Sequence, residues 1–425
     1  MAWKKIRIAL AALAIGMAPL SAVDAAGPFS LDTVVKTDAG YVSGIGGQVR
    51  SYKGIPFAAP PIGPLRYAPP RPVKPWDTIR SAKTFSATCQ IAEDCLTLNV
   101  WTPRADVGAK LPVMVWLHGG AFVMGAGSQS IYDGAALGRR GAVIVSLNYR
   151  LGPLGYFVHP ALEREQPAKP ANFGLLDQIA ALRWIQANIA AFGGDANNVT
   201  IFGESAGAQS VLALFVSPLA RGLFHKGIAQ SAYGIPSHTR AKARTVGIAV
   251  ANAVGVNGGA ATLEELRAIP ADKFAGLDGP GETLAPSLVV GDEDLPMPIL
   301  SAFQRGLEAP VPLIIGSNSD EASVAVAFGV DPAKLVARLG AAKILVRPLY
   351  PGVTDPSQLG REVVRDVVFG AYARRIAYLH SARAPTWRYY YSRIPSGQRT
   401  SLTGVPHGGE IPDVFGADEI GRAHV

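Results

Sequence analysis

The chain has 425 residues, of which 48% are hydrophobic and 17% are charged, and this composition is ample for a large buried core. We therefore expect one large α/β domain, or a domain with insertions. The formal net charge is +8, but the basic residues are scattered along the chain instead of forming runs, which argues against a nucleic-acid partner.

The N-terminal segment Met1–Ala26 is predicted to be a secretory signal peptide and not part of the fold. A basic start precedes the apolar run Ile8–Leu20, and small residues allow cleavage after Ala25 or Ala26. An N-terminal membrane anchor is the alternative, but this run is short for a span and no later stretch is long and apolar enough. We expect an exported protein, periplasmic or secreted, without stable membrane insertion.

The region after the leader is predicted to contain short strands and a proline-rich loop. Asp32–Phe57 has three β-type runs broken by glycine, which predicts antiparallel edge strands. Ala59–Trp76 is very rich in proline, which predicts an ordered extended loop or a surface strap.

The chain has two cysteines, Cys89 and Cys95, separated by five residues. In an exported protein this pair predicts a disulfide that closes a small loop, and two free thiols are the alternative. A metal site is disfavoured because two cysteines with no nearby histidine provide too few ligands.

Apolar runs typical of buried strands alternate with segments of helical character. The predicted strands are Leu96–Trp101, Val113–Leu117, Val143–Leu147, Val199–Phe202, Gly227–Gln230, Val311–Ile315 and Thr386–Tyr391. The predicted helices are Gln178–Ala191, Ala208–Phe215, Ala241–Val254, Leu263–Ile269 and Arg361–Leu379. This alternation predicts a doubly wound α/β sheet. The helical insertion Ser237–Ala275 is expected to cover the strand ends, where such sheets bind ligands.

The sequence GESAG at positions 203–207 lies between a predicted strand and a predicted helix. A GxSxG motif in that context indicates a nucleophile elbow with Ser205 at the apex. Such a turn holds the serine in a strained conformation, and glycine on each side allows the backbone to approach closely. The free N–H groups of the following helix then face developing negative charge. An ordinary glycine-rich turn is the alternative.

A second glycine-rich turn, HGGAF at positions 118–122, follows the predicted strand Val113–Leu117. Turns of this kind expose backbone N–H groups, and here they could point at a substrate on Ser205. A tight strand-to-helix connection without a catalytic role is the alternative.

A serine nucleophile needs a base to take its proton and a carboxylate to hold that base. In α/β-hydrolases the chain order is serine, acid, histidine. His407 fits this order because it lies in a glycine-flanked loop after the last predicted strand, and a loop histidine without a role is the alternative. The remaining histidines fit the order or the placement less well: His118, His159, His225, His238, His380 and His424.

The acid is expected just after a strand that lies between Ser205 and His407 in the chain. Asp320 and Glu321 both follow such a strand, and position alone does not choose between them. Weaker candidates follow a less convincing strand: Asp292, Glu293 and Asp294.

Several ordered stretches resemble the type-B carboxylesterases, the family that includes bacterial para-nitrobenzyl esterases, animal carboxylesterases and cholinesterases. The stretches are Gly54–Tyr67 (GIPFAAPPIGPLRY), Glu93–Pro103 (EDCLTLNVWTP), His118–Phe122 (HGGAF), Asn148–Gly155 (NYRLGPLG), Phe192–Gly207 (FGGDANNVTIFGESAG) and Gly404–Gly416 (GVPHGGEIPDVFG). Together they span about Lys36–Gly416, and they are long and specific.

The resemblance implies an α/β-hydrolase fold with helices on both faces of the sheet and helical insertions over the strand ends. It implies that Glu321 is the acid, that Asp320 is a structural neighbour and that His407 is the base. The implied activity is hydrolysis of a small-molecule carboxylic ester through an acyl-enzyme on Ser205, without a metal or an organic cofactor. The implied oxyanion donors are the backbone N–H groups of Gly120, Ala121 and Ala206. Glu204 and Ser231 are candidates for supporting contacts, and a strand-end cap is the alternative role for Ser231.

The chain departs from the family pattern at two places. The Cys89–Cys95 loop is short and contains no aromatic residue, whereas in cholinesterases this loop is long and carries the aromatic that holds choline. A quaternary-ammonium substrate is therefore not expected. The family continues with helices beyond the base, and Ile420–Val425 can be encoded by the start of a common sequencing adapter. We expect residues 27–419 to be the hydrolase domain, truncated at its C-terminus, and Ile420–Val425 to be a non-native tail.

A non-catalytic binding or adhesion protein, like the neuroligins, is the alternative from another functional class. That alternative predicts a lost nucleophile or base, and this chain retains Ser205, Glu321 and His407. Within the enzyme class, amidase, thioesterase and lipase activities stay open because pocket side chains set that choice. Acyl and alcohol size and the oligomeric state also stay open.

Overall fold

The structure is a computed structural model that describes residues 33–103, 108–165, 171–277, 287–338, 340–394, 396–400 and 402–416. The predicted signal peptide, both boundaries of the 27–419 domain, the predicted tail and His424 lie outside the described residues. Within the described part, no helix combines the length and the apolar character that crossing a membrane requires.

The strands of the described residues form one large sheet and two small ones. They are β1 (Val34–Lys36), β2 (Tyr41–Ser43), β3 (Val49–Pro56), β4 (Ile79–Ser81), β5 (Thr97–Pro103), β6 (Leu111–Leu117), β7 (Val143–Leu147), β8 (Gly194–Glu204), β9 (Lys226–Gln230), β10 (His238–Thr239), β11 (Val289–Val290), β12 (Leu313–Asn318) and β13 (Thr386–Tyr391). Strands β1, β2 and β4 form one small sheet, and β10 pairs with β11.

The large sheet has eight strands in the order β13-β12-β9-β8-β6-β7-β5-β3. Strand β5 runs antiparallel to both of its neighbours, and all the other pairs are parallel. In a parallel sheet the loops at the carboxyl ends of neighbouring strands meet at one edge. The turns after β6, β8, β9 and β12 are therefore brought together, and these turns carry the predicted site residues.

The helices lie between and beside these strands. They are α1 (Ala135–Arg139), α2 (Gly152–Gly155), α3 (Pro160–Glu165), α4 (Phe173–Asn188), α5 (Ala206–Val216), α6 (Arg240–Ala253), α7 (Leu263–Ala268), α8 (Ile299–Arg305), α9 (Ala322–Ala327), α10 (Pro332–Arg338), α11 (Lys343–Val346), α12 (Pro356–Val364), α13 (Ala371–His380) and α14 (Ile411–Phe415). A π-helical turn, Arg365–Gly370, separates α12 from α13.

The core lies on both faces of the large sheet. Val113, Val115 and Leu117 of β6 pack into one apolar cluster, whereas Trp116 packs into a second cluster on the opposite face. Burial of both faces explains why β6 and β7 are continuous apolar runs instead of alternating ones. Every residue of α5 is buried, and each large apolar side chain buried in this way stabilises the fold by about 1.5–3 kcal/mol. The helix that follows Ser205 is thus held firmly in the core.

The predicted doubly wound sheet is confirmed, and two predictions about local structure need correction. The helix predicted over Arg361–Leu379 is interrupted by the π-helical turn, whose geometry leaves the Val368 carbonyl to accept a hydrogen bond from the Gly234 N–H at 2.8 Å. The segment Gly404–Gly416, predicted as a loop, ends in the short helix α14, because Ile411 and Phe415 on one side of it bury against the sheet.

The predicted disulfide between Cys89 and Cys95 is present. Glu93 inside this loop binds Arg66 through two hydrogen bonds of 2.5 and 2.7 Å. Arg66 also donates to the Leu266 carbonyl and contacts the Ile269 carbonyl, so the disulfide loop is attached to the helical insertion.

Candidate active site

Ser205 lies at the apex of the turn between β8, which ends at Glu204, and α5, which begins at Ala206. Its backbone has φ +56° and ψ −119°, a strained conformation that a residue with a side chain seldom adopts. The side chain is almost buried, since the residue is 9% exposed. The predicted strained elbow is therefore present, and strain of this kind is typical of functional sites.

The glycines on either side of Ser205 allow two backbone segments to approach closely. A Cβ atom on Gly203 would lie 2.6 Å from the Leu117 carbonyl oxygen, and one on Gly207 would lie 2.0 Å from the same oxygen. Neither distance is compatible with a side chain, so both positions require glycine for α5 to pack against the end of β6.

Replacement of Gly207 by alanine is expected to destabilise the protein by about 3 kcal/mol, because the new methyl group meets backbone on β6 that cannot move aside. The measurement is the free energy of unfolding from urea titration. Gly259→Ala is the matched control, since its Cβ would meet only Ile248 side-chain atoms at 3.5 and 3.7 Å. Equal stability of the two variants would contradict this account of the elbow.

The second glycine-rich turn follows β6 and lies beside the elbow. A Cβ on Gly119 would lie 3.3 Å from the Ser205 Cβ, which places this turn directly against Ser205. Gly120 has φ +104° and Ala121 has φ +54°, and within the described residues their N–H groups have no backbone acceptor. The Ala206 N–H is the first of a helix and has no intrahelical acceptor. Three donors predicted to bind an oxyanion are thus located around the elbow.

Glu321 and His407 form a buried pair. The Nδ1 atom of His407 lies 2.5 Å from Oε2 of Glu321, which is fully buried. The other carboxylate oxygen of Glu321 accepts hydrogen bonds from the Ser231 hydroxyl and the Asn318 N–H, both at 2.6 Å. Each Glu321 oxygen is therefore satisfied, and the carboxylate is held in one orientation against the imidazole. The sequence offered two roles for Ser231, a supporting contact or a strand-end cap. In the structure its hydroxyl contacts Glu321.

Nε2 of His407 lies beside the carboxylate of Glu204. It is 3.0 Å from Oε1 of Glu204, but neither of these two buried atoms makes a hydrogen bond within the described residues. Burial lowers the pKa of His407, but the carboxylates of Glu204 and Glu321 outweigh that effect and raise it to about 10. A protonated imidazole prefers the carboxylate to a neutral hydroxyl. The expected serine–histidine contact is thus absent in this state, as is common before a substrate binds.

The other acidic candidates are held elsewhere. The side chain of Asp320 forms an ion pair with Arg361, and Asp292 forms one with Arg240. Asp294 accepts a hydrogen bond from Asn172 at 2.8 Å, and burial raises its pKa to about 7. Among these candidates for the acid, Glu321 is the one whose carboxylate contacts His407.

Two of the excluded histidines are also committed to other contacts. His380 is fully buried between Glu308 and the Val311 carbonyl. His118 lies beneath the glycine-rich turn, where Nδ1 contacts the Gly119 carbonyl oxygen and burial lowers its pKa to about 4.

The sequence analysis missed a third buried carboxylate in this region. Glu410 accepts hydrogen bonds from Gln230 at 3.0 Å and from Asn318, and burial together with the charge of Glu204 raises its pKa to about 7. The spacing of three residues between His407 and Glu410 could have indicated that both side chains point toward the site, because a turn places such residues on the same side of the backbone. Nothing in the sequence linked Gln230 and Asn318 to it, since each lies at the end of a different strand.

No group of three or more His, Cys, Asp or Glu side chains in the described ranges is arranged to hold a metal ion. The arrangement instead provides a strained serine, a histidine held by a carboxylate, and a ring of free N–H donors. Those components are sufficient for nucleophilic attack by serine with general-base assistance and for stabilisation of an oxyanion.

Comparison with known proteins gives one consistent family. A sequence model described as the carboxylesterase family matches residues 31–343. The fumonisin B1 esterase of Sphingopyxis macrogoltabida is 35% identical over 408 residues, covering 89% of this chain and 74% of its own. The para-nitrobenzyl esterase of Bacillus subtilis (strain 168) is 35% identical over 421 residues, covering 90% of this chain and 83% of its own.

Solved structures of carboxylesterases have the same fold. A carboxylesterase of Geobacillus stearothermophilus superposes with a TM-score of 0.80 at 33% identity, covering 90% of this chain and 84% of its own.

Proposed function

Because the chain belongs to the carboxylesterase family, has the α/β-hydrolase fold and is a carboxylic-ester hydrolase, we propose that it acts as an exported serine hydrolase with a Ser205–His407–Glu321 triad. The family resemblance seen in the sequence motifs is confirmed at the level of the family and the fold.

One observation carries the proposal. The strained Ser205 adjoins Glu204, whose carboxylate lies 3.0 Å from Nε2 of His407, while Nδ1 of the same ring is held by Glu321. The two ring nitrogens of His407 therefore lie next to two carboxylates, and one of them belongs to the residue directly before Ser205. The glycine-rich turn after β6, whose Gly120 and Ala121 N–H groups have no backbone acceptor among the described residues, lies against Ser205 and Glu204.

The proposed reaction has two steps. Neutral His407 takes the proton of the Ser205 hydroxyl as the oxygen attacks the ester carbonyl, and the resulting oxyanion binds the N–H groups of Gly120, Ala121 and Ala206. His407 then gives the proton to the leaving alcohol. In the second step His407 takes a proton from water, which attacks the acyl-enzyme, and the proton returns to Ser205 as the acid is released.

The pH profile follows from the two carboxylates on His407. The base acts only when neutral, so kcat/KM is expected to rise with pH as His407 loses its proton, with the midpoint set by a pKa of about 10. Glu204→Gln removes one stabilising charge, so the pKa falls and the rising limb moves to lower pH by about 1–3 units.

The measurement for this prediction is kcat/KM against pH for the wild type and the Glu204→Gln variant. Glu165→Gln is the control, because this carboxylate is exposed and its ion pair with Arg267 is long, at 3.9 Å. If the rising limb of the kcat/KM profile lies at the same pH in the Glu204→Gln variant as in the wild type, Glu204 does not stabilise the protonated imidazole.

We propose small-molecule esters with an apolar group as the substrates. The ring of Phe369 lies 5.3 Å from the ring of His407 and 6.3 Å from that of Tyr233. Val324 and Val368 pack into the same cluster, which lies beside the imidazole. Two relatives named for para-nitrobenzyl and fumonisin B1 esters support esters as the class.

The test is hydrolysis of para-nitrophenyl acetate, butyrate and octanoate by the purified protein, beside the matching anilides and thioesters. Turnover of the oxygen esters supports the proposal, and the dependence of the rate on acyl-chain length tests whether the apolar cluster beside His407 binds the acyl group. A folded protein that hydrolyses none of these compounds would favour a non-catalytic binding protein.

Export is proposed from the leader-like sequence Met1–Ala26, and the Cys89–Cys95 disulfide fits an oxidising compartment. Expression of the full chain with cell fractionation tests this proposal. A processed protein that begins at Ala26 or Gly27 outside the cytoplasm supports it, and an unprocessed protein in the cytoplasm contradicts it.

A further inference from the structure

The backbone of the segment that carries His407 makes four hydrogen bonds to the region that runs from the end of β12 to the first turn of α9. Val405 makes two of them: its N–H donates to the Ser319 hydroxyl, and its carbonyl accepts from the Asp320 N–H, both at 2.8 Å. The Pro406 carbonyl accepts from the Asn318 side chain at 2.9 Å. The His407 N–H donates to the Ser323 hydroxyl at 2.8 Å. Three of these bonds hold residues before the histidine. The bond to Ser323 is the one made to the backbone of His407 itself.

Ser323 is placed to join the acid and the base of the site. It lies in the first turn of α9, two residues after Glu321. Its hydroxyl accepts from the His407 N–H and donates to the Asp320 carbonyl at 2.8 Å. A serine hydroxyl has one proton, so the bond to Asp320 directs a lone pair toward the His407 N–H. One side chain therefore holds the backbone of His407 at a set distance from the carboxylate of Glu321.

The backbone next to His407 makes the hydrogen bond from its N–H to Ser323 important. Gly404 precedes the segment, and Gly408, with φ +75°, follows His407 directly. Pro406 directly before His407 has a restricted φ, but Gly408 directly after it restricts the backbone little, so on that side the position of His407 depends on hydrogen bonds. In the proposed reaction Nε2 of the imidazole has to serve Ser205 while Nδ1 keeps Glu321, and this requires a backbone that stays in place.

We propose that Ser323 is a positioning residue, whose hydroxyl fixes the backbone of His407 so that Nδ1 of the imidazole keeps its bond to Glu321 while Nε2 serves Ser205. The inference rests on the proposed function and adds to it a residue that touches neither the substrate nor the reacting atoms.

The first measurement is steady-state kinetics of Ser323→Ala, Ser323→Thr and the control Ser381→Ala. Displacement of a catalytic group by about 1 Å costs about 100-fold, so Ser323→Ala is expected to lower kcat by about 10- to 100-fold with KM unchanged. Ser323→Thr retains the hydroxyl and is expected to recover most of the rate. Ser381→Ala removes a hydroxyl that donates to the Tyr378 carbonyl at the exposed end of α13 and is expected to have no effect on kcat.

Alanine is favourable in a helix, so Ser323→Ala is expected to keep the thermal midpoint of the wild type within a few degrees. A fall in kcat with an unchanged midpoint supports positioning. Full activity of Ser323→Ala overturns the proposal, and so does a loss of activity in Ser323→Thr equal to that in Ser323→Ala.

The second measurement does not need turnover. NMR of protein labelled with ¹⁵N-histidine reports the Nδ1–H proton and the backbone amide of His407, assigned with His407→Ala. In Ser323→Ala the Nδ1–H signal is expected to broaden or move, and the amide is expected to exchange with solvent about tenfold faster or more.

Unchanged His407 signals in Ser323→Ala overturn the inference, whatever the activity. A wild type without esterase activity would contradict the proposed function, while the NMR comparison would still decide whether Ser323 holds His407.

Discussion

Replacement of Ser205 by alanine is expected to lower kcat for para-nitrophenyl butyrate by about 10⁶-fold, because no other group in the site can form the acyl-enzyme. The fold is expected to survive, since the turn depends on Gly203 and Gly207 and on the buried helix α5 rather than on the hydroxyl. The same variant is expected to resist labelling by a fluorophosphonate, which should modify the wild type at one site per chain.

Ser217→Ala is the matched control for the loss of a hydroxyl. Ser217 is fully buried just after α5, and among the described residues its hydroxyl has no hydrogen-bond partner. This variant is expected to retain full activity and full labelling. Activity of Ser205→Ala above about one hundredth of the wild type would place the nucleophile elsewhere, because loss of a serine nucleophile costs far more than that.

Replacement of Glu321 by glutamine is expected to lower kcat by about 10⁴-fold. The oxygen that accepts from Ser231 and from the Asn318 N–H has to remain an acceptor, so the new NH₂ group would face Nδ1 of His407. The imidazole then carries its proton on Nε2, and it cannot accept the proton of Ser205. The measurement is kcat with para-nitrophenyl butyrate over a range of pH.

Asp320→Asn is the control for this second prediction and also tests the choice that the sequence left open. Asp320 is paired with Arg361 and does not contact His407, so its replacement is expected to lower kcat by less than about tenfold. A larger effect for Asp320→Asn than for Glu321→Gln would reverse the assignment of the acid.

The fluorophosphonate experiment also separates the two functional classes. A non-catalytic member of the fold would leave Ser205 unlabelled in the wild type, because an unactivated serine hydroxyl is a weak nucleophile. Labelling of the wild type at Ser205 without turnover of any test ester would instead mean that the substrate class has been chosen wrongly.

Much of the fold was predictable because local patterns of apolar and polar residues determine where its strands and helices lie. Strand β13 was predicted with the bounds that the structure has, and β7 likewise, since short apolar runs between polar turns have few alternative structures. The π-helical turn was not predictable, because it accompanies a hydrogen bond from the Gly234 N–H to the Val368 carbonyl. These two residues are distant in the chain, and no local pattern indicates that they meet.

The sequence by itself determined the sheet, the elbow at Ser205 and the family, because these depend on residue types at short spacing. Residue position left the choice between Asp320 and Glu321 open, and only the family resemblance pointed to Glu321; nothing in the sequence revealed that Nε2 of His407 lies beside Glu204. Only the tertiary structure shows these contacts, since the groups involved come from the ends of separate strands, from the turn after β12 and from the loop before α14. The direction in which a buried side chain points depends on partners that the fold brings together, and such partners leave no pattern at short spacing.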